Sequence, residues 1–385
     1  MTEREVFLGA LDIADRDERL RFLDRACAGD TTLRASVDEL LAAHEKSGRF
    51  LSVPDDPSRT LDSNETSDLG FLEPSDKPGS IGRLGHYEIL GTLGRGGFGI
   101  VLKAFDETLH RVVAIKAMAM HLAATSPPRK RFLGEARAVA AIKHENVVAV
   151  FAVEEKPVPY LVMEFVAGET LQQHIDRTGP LDLADVVGIA RQIARGLEAA
   201  HSTGLIHRDI KPANVLLEAG PELKVKITDF GLARAADDAR LTQSGAICGT
   251  PMYMSPEQAQ GQTLDARSDL FSLGSVMYVM ASGRPPFRAE STLAVMKRLV
   301  EETPRPIREI VPSVPEWLCG VIDKLQAKRP ADRYASAKDV VAALESGEAV
   351  APKAARPKRR VAPYAIAAAI LLPLLAGAFV ISQKW

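Results

Sequence analysis

The run His207, Arg208, Asp209, Ile210, Lys211, Pro212, Ala213, Asn214 restricts what this chain can be more than any other stretch of it. It sets a lysine two positions after a carboxylate and a carboxamide five positions after it. Such a grouping suits phosphoryl transfer to a hydroxyl. An alcohol is a weak nucleophile that needs a base beside it, and a nucleoside triphosphate is heavily anionic and needs positive charge near its oxygens. Asp209 fits the base, Lys211 the shield over the transferring group, and Asn214 a magnesium ligand through its amide oxygen. An octet alone can also be a charged surface loop, so its meaning depends on its context.

Upstream, Gly94, Arg95, Gly96, Gly97, Phe98, Gly99, Ile100, Val101 reads as a glycine-rich turn between two strands, Tyr87 to Leu93 and Ile100 to Phe105. Glycines let backbone N–H groups approach phosphate oxygens closely. A dinucleotide site shares this spacing but runs from its last glycine into a helix, whereas β-branched residues follow here, which predicts a hairpin over a nucleotide. Val113, Ala114, Ile115, Lys116 predicts a third strand ending in a lysine. A helix starting after Ser126, Pro127 and Pro128 carries Glu135 on or beside an apolar face of Phe132, Ala136, Val139 and Ile142. A carboxylate placed there needs a cation, and Lys116 is the expected one. Downstream, Lys226, Ile227, Thr228, Asp229, Phe230, Gly231 predicts a strand ending in an acid that would hold the metal bridging the phosphates.

With these elements in this order, the stretch from Tyr87 to Leu344 resembles a protein kinase catalytic domain, and is most similar to the bacterial members of the eukaryotic-type (Hanks-type) serine/threonine kinases. The resemblance implies an α+β bilobal fold, with a small β-rich lobe carrying one regulatory helix and a larger helical lobe. It implies ATP and Mg2+ as cofactors, with Mn2+ as an alternative, and protein Ser/Thr hydroxyls as acceptors. Leu93, Gly94, Gly96, Gly99, Val101 and Ala114 are implied as phosphate loop and adenine roof, and Lys116 with Glu135 as an activating ion pair. Met163 resembles the gatekeeper, Glu164, Phe165 and Val166 the hinge, and Leu216 the floor beneath the base. Asp209 is implied as catalytic base, Asn214 and Asp229 as metal ligands, and Lys211 marks the serine/threonine-specific version; His207 and Phe230 are implied as packing residues. Asp269 matches the acid that braces the catalytic loop, and Arg333 the partner of Glu257. The family's Ala-Pro-Glu is Ser255, Pro256, Glu257 here. A pseudokinase scaffold is the competing reading, but such chains commonly lose the lysine, the base or a metal ligand, and all four residues stand in this one.

The segment from Asp229 to Glu257 is expected to be a switch, with autophosphorylation at Thr242 or Ser244 and Arg208 as the cation that meets the phosphate. Thr250 is implied as a positioning residue near Asp209 and Lys211. A homodimer would serve autophosphorylation in trans.

A chain of 385 residues, 46% apolar and 25% charged, can bury a two-lobed core, and a net charge of −2 gives no general pull toward nucleic acid. Cys27, Cys248 and Cys319 are too few and too scattered for a disulfide framework or a zinc site.

Residues 1–50 predict a small helical leader, with apolar groups at Val6, Phe7, Leu8 and Leu11, at Leu20, Phe22, Leu23 and Ala26, and at Leu33, Val37, Leu40 and Leu41. Residues 51–86 read as a flexible acidic linker, 87–345 as the catalytic domain and 346–360 as a basic juxtamembrane linker. From Val361 to Ile381 no residue is charged, and as a helix this stretch would be about 31 Å long, the thickness of a bilayer core. Lys353, Arg356, Lys358, Arg359 and Arg360 precede it and only Lys384 follows. That asymmetry predicts a single-pass cell-membrane protein with a cytoplasmic kinase domain and an extracytoplasmic tail at 382–385. The N-terminus is charged from its third residue and does not read as a signal peptide.

Overall fold

The computed structural model describes residues 6, 16–27, 30, 33–34, 37, 69–220, 222–230, 251–289 and 291–347. The chain divides into two compact units, Met1–Thr66 and Ser67–Trp385.

In the first unit, helix α1 (Arg16–Cys27) contains the predicted apolar set of the second leader helix. Leu23 and Cys27 on it are buried with Val6 and Val37, and Phe22, Ala26 and Leu33 pack against them. The remaining residues of the predicted leader helices lie outside the described residues.

The second unit opens with a six-stranded antiparallel sheet of order β1-β2-β3-β4-β6-β5. Its strands are β1 (Gly82–Leu84), β2 (Tyr87–Gly96), β3 (Gly99–Asp106), β4 (Arg111–Met118), β5 (Val150–Glu154) and β6 (Tyr160–Glu164). β3 alternates half-buried and buried residues along its whole length, so one face of the sheet packs on a core of Leu84, Ile89, Leu102, Val113, Ile115 and Val162. The other face takes helix α3 (Ser126–Ala140), reached through the short α2 (Met120–Ala123). α3 keeps its prolines in the first turn, where no helical N–H is lost, and buries Phe132, Leu133, Ala136 and Val139.

A second, three-stranded antiparallel sheet, β7 (Gly168–Thr170), β8 (Val215–Glu218) and β9 (Lys224–Ile227), underlies the cleft. The large lobe is helical: α4 (Leu171–Thr178), α5 (Leu183–Ser202), α6 (Pro256–Ala259), α7 (Ala266–Ser282), α8 (Thr292–Glu301), α9 (Glu316–Leu325) and α10 (Ala337–Ser346). α7 is its axis, buried on all sides from Ser268 to Ser282. Its serines bond main-chain carbonyls along the helix, Ser272 to Ser268 O and Ser275 to Phe271 O, so hydroxyls can sit in an apolar core. This is the expected bilobal arrangement.

The structure departs from the sequence reading at 51–86. Residues 69–86 are folded onto the small lobe and do not behave as a linker: Phe71 is buried in the sheet's core with Leu69 and Leu72 packed beside it, and Glu73 exchanges backbone hydrogen bonds with Arg83. The apolar signal, Leu69, Phe71 and Leu72, is too short to show a period, and its partners lie far along the chain. Among the described residues no helix is long and apolar enough to cross a membrane. The span expected at 361–381 lies outside the described residues, as do Thr242, Ser244, Cys248, Thr250 and Gly231.

Candidate active site

The octet is shaped by hydrogen bonds to buried groups. Asp269 on α7 is fully buried, and its carboxylate accepts from the main-chain N–H of His207 at 2.8 Å and of Arg208 at 2.7 Å. His201, at the end of α5, meets the same acid at 2.8 Å. The His207 ring accepts the Asp209 N–H on Nδ1 at 3.2 Å and donates from Nε2 to Thr228 O at 2.9 Å, which fixes its tautomer. Arg208 takes a left-handed φ of 70°, a strained conformation for a non-glycine residue held here by these bonds. The result aims Asp209 into the cleft. Its Oδ2 accepts from Lys211 Nζ at 2.8 Å and Asn214 Nδ2 at 3.0 Å, leaving Oδ1 for a substrate hydroxyl.

The β8–β9 hairpin brings the second half of the site to the first. Val215 pairs with Ile227, and the Thr228 N–H donates to Asn214 O at 3.0 Å, so Asn214 just before β8 and Asp229 just after β9 become neighbours. The Asn214 amide nitrogen is engaged by Asp209 O and Oδ2, which leaves its oxygen as the free donor atom. Burial alone would raise the Asp229 pKa, but Lys116, by charge and hydrogen bond, holds it below the usual carboxylate range. An ionised carboxylate beside an amide oxygen fits one hard cation whose other ligands come from phosphate and water. Among the described residues no group of three or more His, Cys, Asp and Glu side chains is placed to hold a metal by itself.

In the small lobe, Gly96 lies opposite Gly99 where the β2–β3 hairpin turns. Gly99 has a φ of 152°, and a Cβ there would stand 1.9 Å from Ala117 O, so only glycine fits. At Gly94 and Gly96 an added Cβ would meet nothing of the protein within 4 Å, so these two glycines are not required by the chain's own packing. Ala114 and Met163 face each other across β4 and β6, and they share one apolar cluster with Val166 and Leu216. Leu93 stays 47% exposed at its lip. The N–H of Glu164 is used by Ala149 O, and its carboxylate is paired with Lys226 at 2.9 Å; among the described residues Val166 makes no backbone hydrogen bond.

Lys116 lies opposite Val101 on one side and Leu161 on the other, its side chain 11% exposed. Here the structure corrects the expected ion pair. The acid that Lys116 meets among the described residues is Asp229, at 2.8 Å, and not Glu135. Asp229 has a left-handed φ of 64°, which turns its carboxylate back toward β4, and a buried ammonium takes the acid within reach. Glu135 is carried by α3, whose position is set by the apolar packing of Phe132, Ala136 and Val139.

Glu257 and Arg333 meet as the sequence pairing required, with two contacts of 2.7 Å between side chains that are 3% and 0% exposed. Ser268 donates to Glu257, and Arg333 donates to the carbonyls of Ala327, Arg267 and Lys328. Burial raises the Glu257 pKa, and the bonds from Arg333 and Ser268 more than offset this, so it stays below its ordinary value. Sequence reasoning missed His201 and Gln258. Gln258 closes a capping box with Ser255 and donates to Arg208 O at 2.6 Å, tying α6 to the octet; the spacing of three between Ser255 and Gln258 was the available signal.

Two lobes, a glycine hairpin over a lysine, and an acid, lysine, amide and second acid converging beneath it define a nucleotide-dependent phosphotransferase site. The family model described as protein kinase domain matches residues 87–343, and the chain belongs to that family. It is 40% identical over 264 residues to the serine/threonine-protein kinase PknB of Mycobacterium leprae, covering 67% of this chain and 42% of that protein. It is 38% identical over 292 residues to PknA of Mycobacterium tuberculosis, covering 73% of this chain and 67% of that one. The crystal structure of the Mycobacterium tuberculosis PknI kinase domain matches with a TM-score of 0.56 at 26% identity, over 70% of this chain and 99% of that chain. The chain thus spans well under half the length of the PknB relative.

Proposed function

We propose that this chain is a serine/threonine protein kinase that transfers the γ-phosphoryl group of ATP to protein hydroxyls, with a divalent cation, Mg2+ or Mn2+, held by Asn214 and Asp229. When bound, that cation would neutralise charge on the phosphate oxygens. Asp209 accepts the hydroxyl proton, Lys211 stands over the transferring group, and Lys116 and the glycine hairpin hold the remaining phosphates. The observation that carries this reading is the junction of Lys211, Asn214 and Asp209 on one carboxylate oxygen, next to the Lys116–Asp229 pair. It is tested by label transfer from γ-labelled ATP to casein and to the chain itself. Wild type should incorporate phosphate and Asp209→Asn should not; equal incorporation would end the assignment.

Autophosphorylation at Thr242 or Ser244 belongs to the same proposal, supported by Arg208, whose Nε is buried with no hydrogen-bond partner among the described residues and would suit an arriving phosphate. Dimerisation would allow that transfer between two copies. We further propose that residues 361–381 anchor the chain in the cell membrane with the catalytic domain on the cytoplasmic side and the tail outside, a reading supported by the uncharged run and the basic cluster before it. Fractionation with alkaline washing tests the anchor: recovery of the full chain in the washed supernatant would remove it.

A further inference from the structure

The strap formed by residues 69–81 is held to the small lobe by Phe71 in the core, by backbone hydrogen bonds between Glu73 and Arg83, and by one buried acid. Glu88, 5% exposed on β2, accepts from the Ser75 hydroxyl at 2.7 Å and from the Ser80 hydroxyl at 2.8 Å, both on Oε2. The Lys77 ammonium stands 4.0 Å from its other oxygen. Before this latch Phe71 enters the sheet's core; after it the chain passes Gly82, where a Cβ would meet Leu72 and Glu73 O at 3.1 Å, and enters β1. β1 pairs with β2, the strand that runs on into the glycine turn. The strap therefore braces the strand that carries the phosphate loop.

We propose that Ser75 is a phosphoacceptor and that its modification releases the strap. The proposal rests on the kinase reading above, which supplies the phosphoryl donor. Ser75 Oγ would attack the γ-phosphorus of ATP, the bond from that phosphorus to the β–γ bridging oxygen would break, ADP would leave with the electron pair, and the hydroxyl proton would pass to Asp209 of the catalysing copy. The product has no proton on Oγ to donate and carries a charge of about −1.5 to −2 against a buried carboxylate. Glu88 stays ionised in the latched form: the Ser75 hydrogen bond is the largest influence holding its pKa below the ordinary value, ahead of the opposing effect of burial. The nearest cations, Lys77 and Arg83, are exposed and already face Glu107 and Glu73, so a phosphate on Ser75 would have to compete with those acids for them.

Ser75 is favoured over Ser80 by its partners. Ser80 Oγ, with its single proton, also lies within reach of the carbonyls of Gly82 and Ile89 inside the β1–β2 corner, whereas the acceptor within reach of the Ser75 hydroxyl is Glu88, and Ser75 Oγ itself accepts from the Lys77 N–H at 3.2 Å. Pro74 before Ser75 and Pro78 beyond it disfavour helix around the acceptor, and an extended peptide suits a transfer cleft. Ser75 is only partly exposed when latched, so transfer takes place on a strap that has swung off, and the phosphate then holds it off.

The test uses the full chain incubated with ATP and Mg2+, with phosphopeptide mapping, hydrogen exchange over residues 70–84 and the KM for ATP. Phosphate is expected on Ser75 in the wild type and on Asp209→Asn treated with wild type, and not on Asp209→Asn alone. Ser75→Glu should exchange about tenfold faster over the strap than wild type, with a raised KM for ATP and little change in kcat; Ser75→Ala should move less, and Ser75→Thr should restore protection. Phosphate on other sites with Ser75 unmodified would overturn the acceptor, and wild-type exchange in Ser75→Glu would overturn the release. No phosphate anywhere, casein included, would instead remove the kinase reading and the acceptor with it, while the Ser75→Glu exchange would still decide the latch.

Discussion

The two halves of the cleft are built differently. The lower half is rigid by construction: the octet hangs on the fully buried Asp269, on His201 and on the His207 ring, and α6 is locked to it through Gln258 and, behind that, through the sealed Glu257–Arg333 pair. The upper half depends on few, separable contacts. Lys116 is paired across the cleft with Asp229 and not with Glu135 on α3, and β2 is braced by a strap latched through hydroxyls. Chemistry that needs fixed geometry is placed where burial enforces it, and adjustment is left where single contacts decide.

The largest expected effect sharpens this contrast in the lower half. Asp209→Asn keeps shape and most hydrogen bonds but removes the base, and should cut phosphate transfer roughly 10²- to 10⁴-fold with little change in unfolding midpoint. A comparable loss of folding stability would show that Asp209 is part of the frame instead.

Arg333→Ala leaves Glu257 charged and buried and should cost about 3–5 kcal/mol in denaturant unfolding. A loss below about 1 kcal/mol, the range of exposed ion pairs, would show that the large lobe does not depend on this lock. In the upper half, Glu135→Gln should lower kcat by about tenfold, equivalent to ~1.4 kcal/mol, if turnover passes through an arrangement with Lys116 on Glu135. Unchanged kcat would mean that the Lys116–Asp229 pair is the working one.

The acid side of the stability profile separates the halves further. Glu257 has a folded pKa below its ordinary value of 4.5. Its contribution is therefore present above about pH 4.5 and is lost as pH falls through the folded value. Glu257→Gln should flatten the stability profile in that acid window, and an unchanged slope there would refute the linkage. The smallest effect is expected at Ser255→Ala, which removes the α6 cap and should cost about 1 kcal/mol in thermal or denaturant unfolding.

Much of this was readable in the order of residues. The octet, the glycine turn, the lysine strand and the acid after β9 are local patterns whose chemistry depends on spacing, and the β2–β3 hairpin and α3 formed where periodicity placed them. Phe71 was not readable, because a single aromatic in a polar run takes its meaning from a surface folded elsewhere. His201 escaped notice for a similar reason: its partner Asp269 lies on another helix. That Lys116 meets Asp229 was equally hidden, since the sequence reading paired it with Glu135 and the two residues are 113 positions apart.

By itself, then, the sequence determined the candidate side chains for the chemistry and much of which segments are strand or helix, because short-range spacing fixes local backbone preference and donor type. The tertiary structure alone decided which acid holds Lys116, that Asp269 and His201 frame the octet, and that residues 69–86 belong to the small lobe. Those outcomes depend on distance and burial between residues far apart in the chain, and Coulomb and packing energies are set by distance in space.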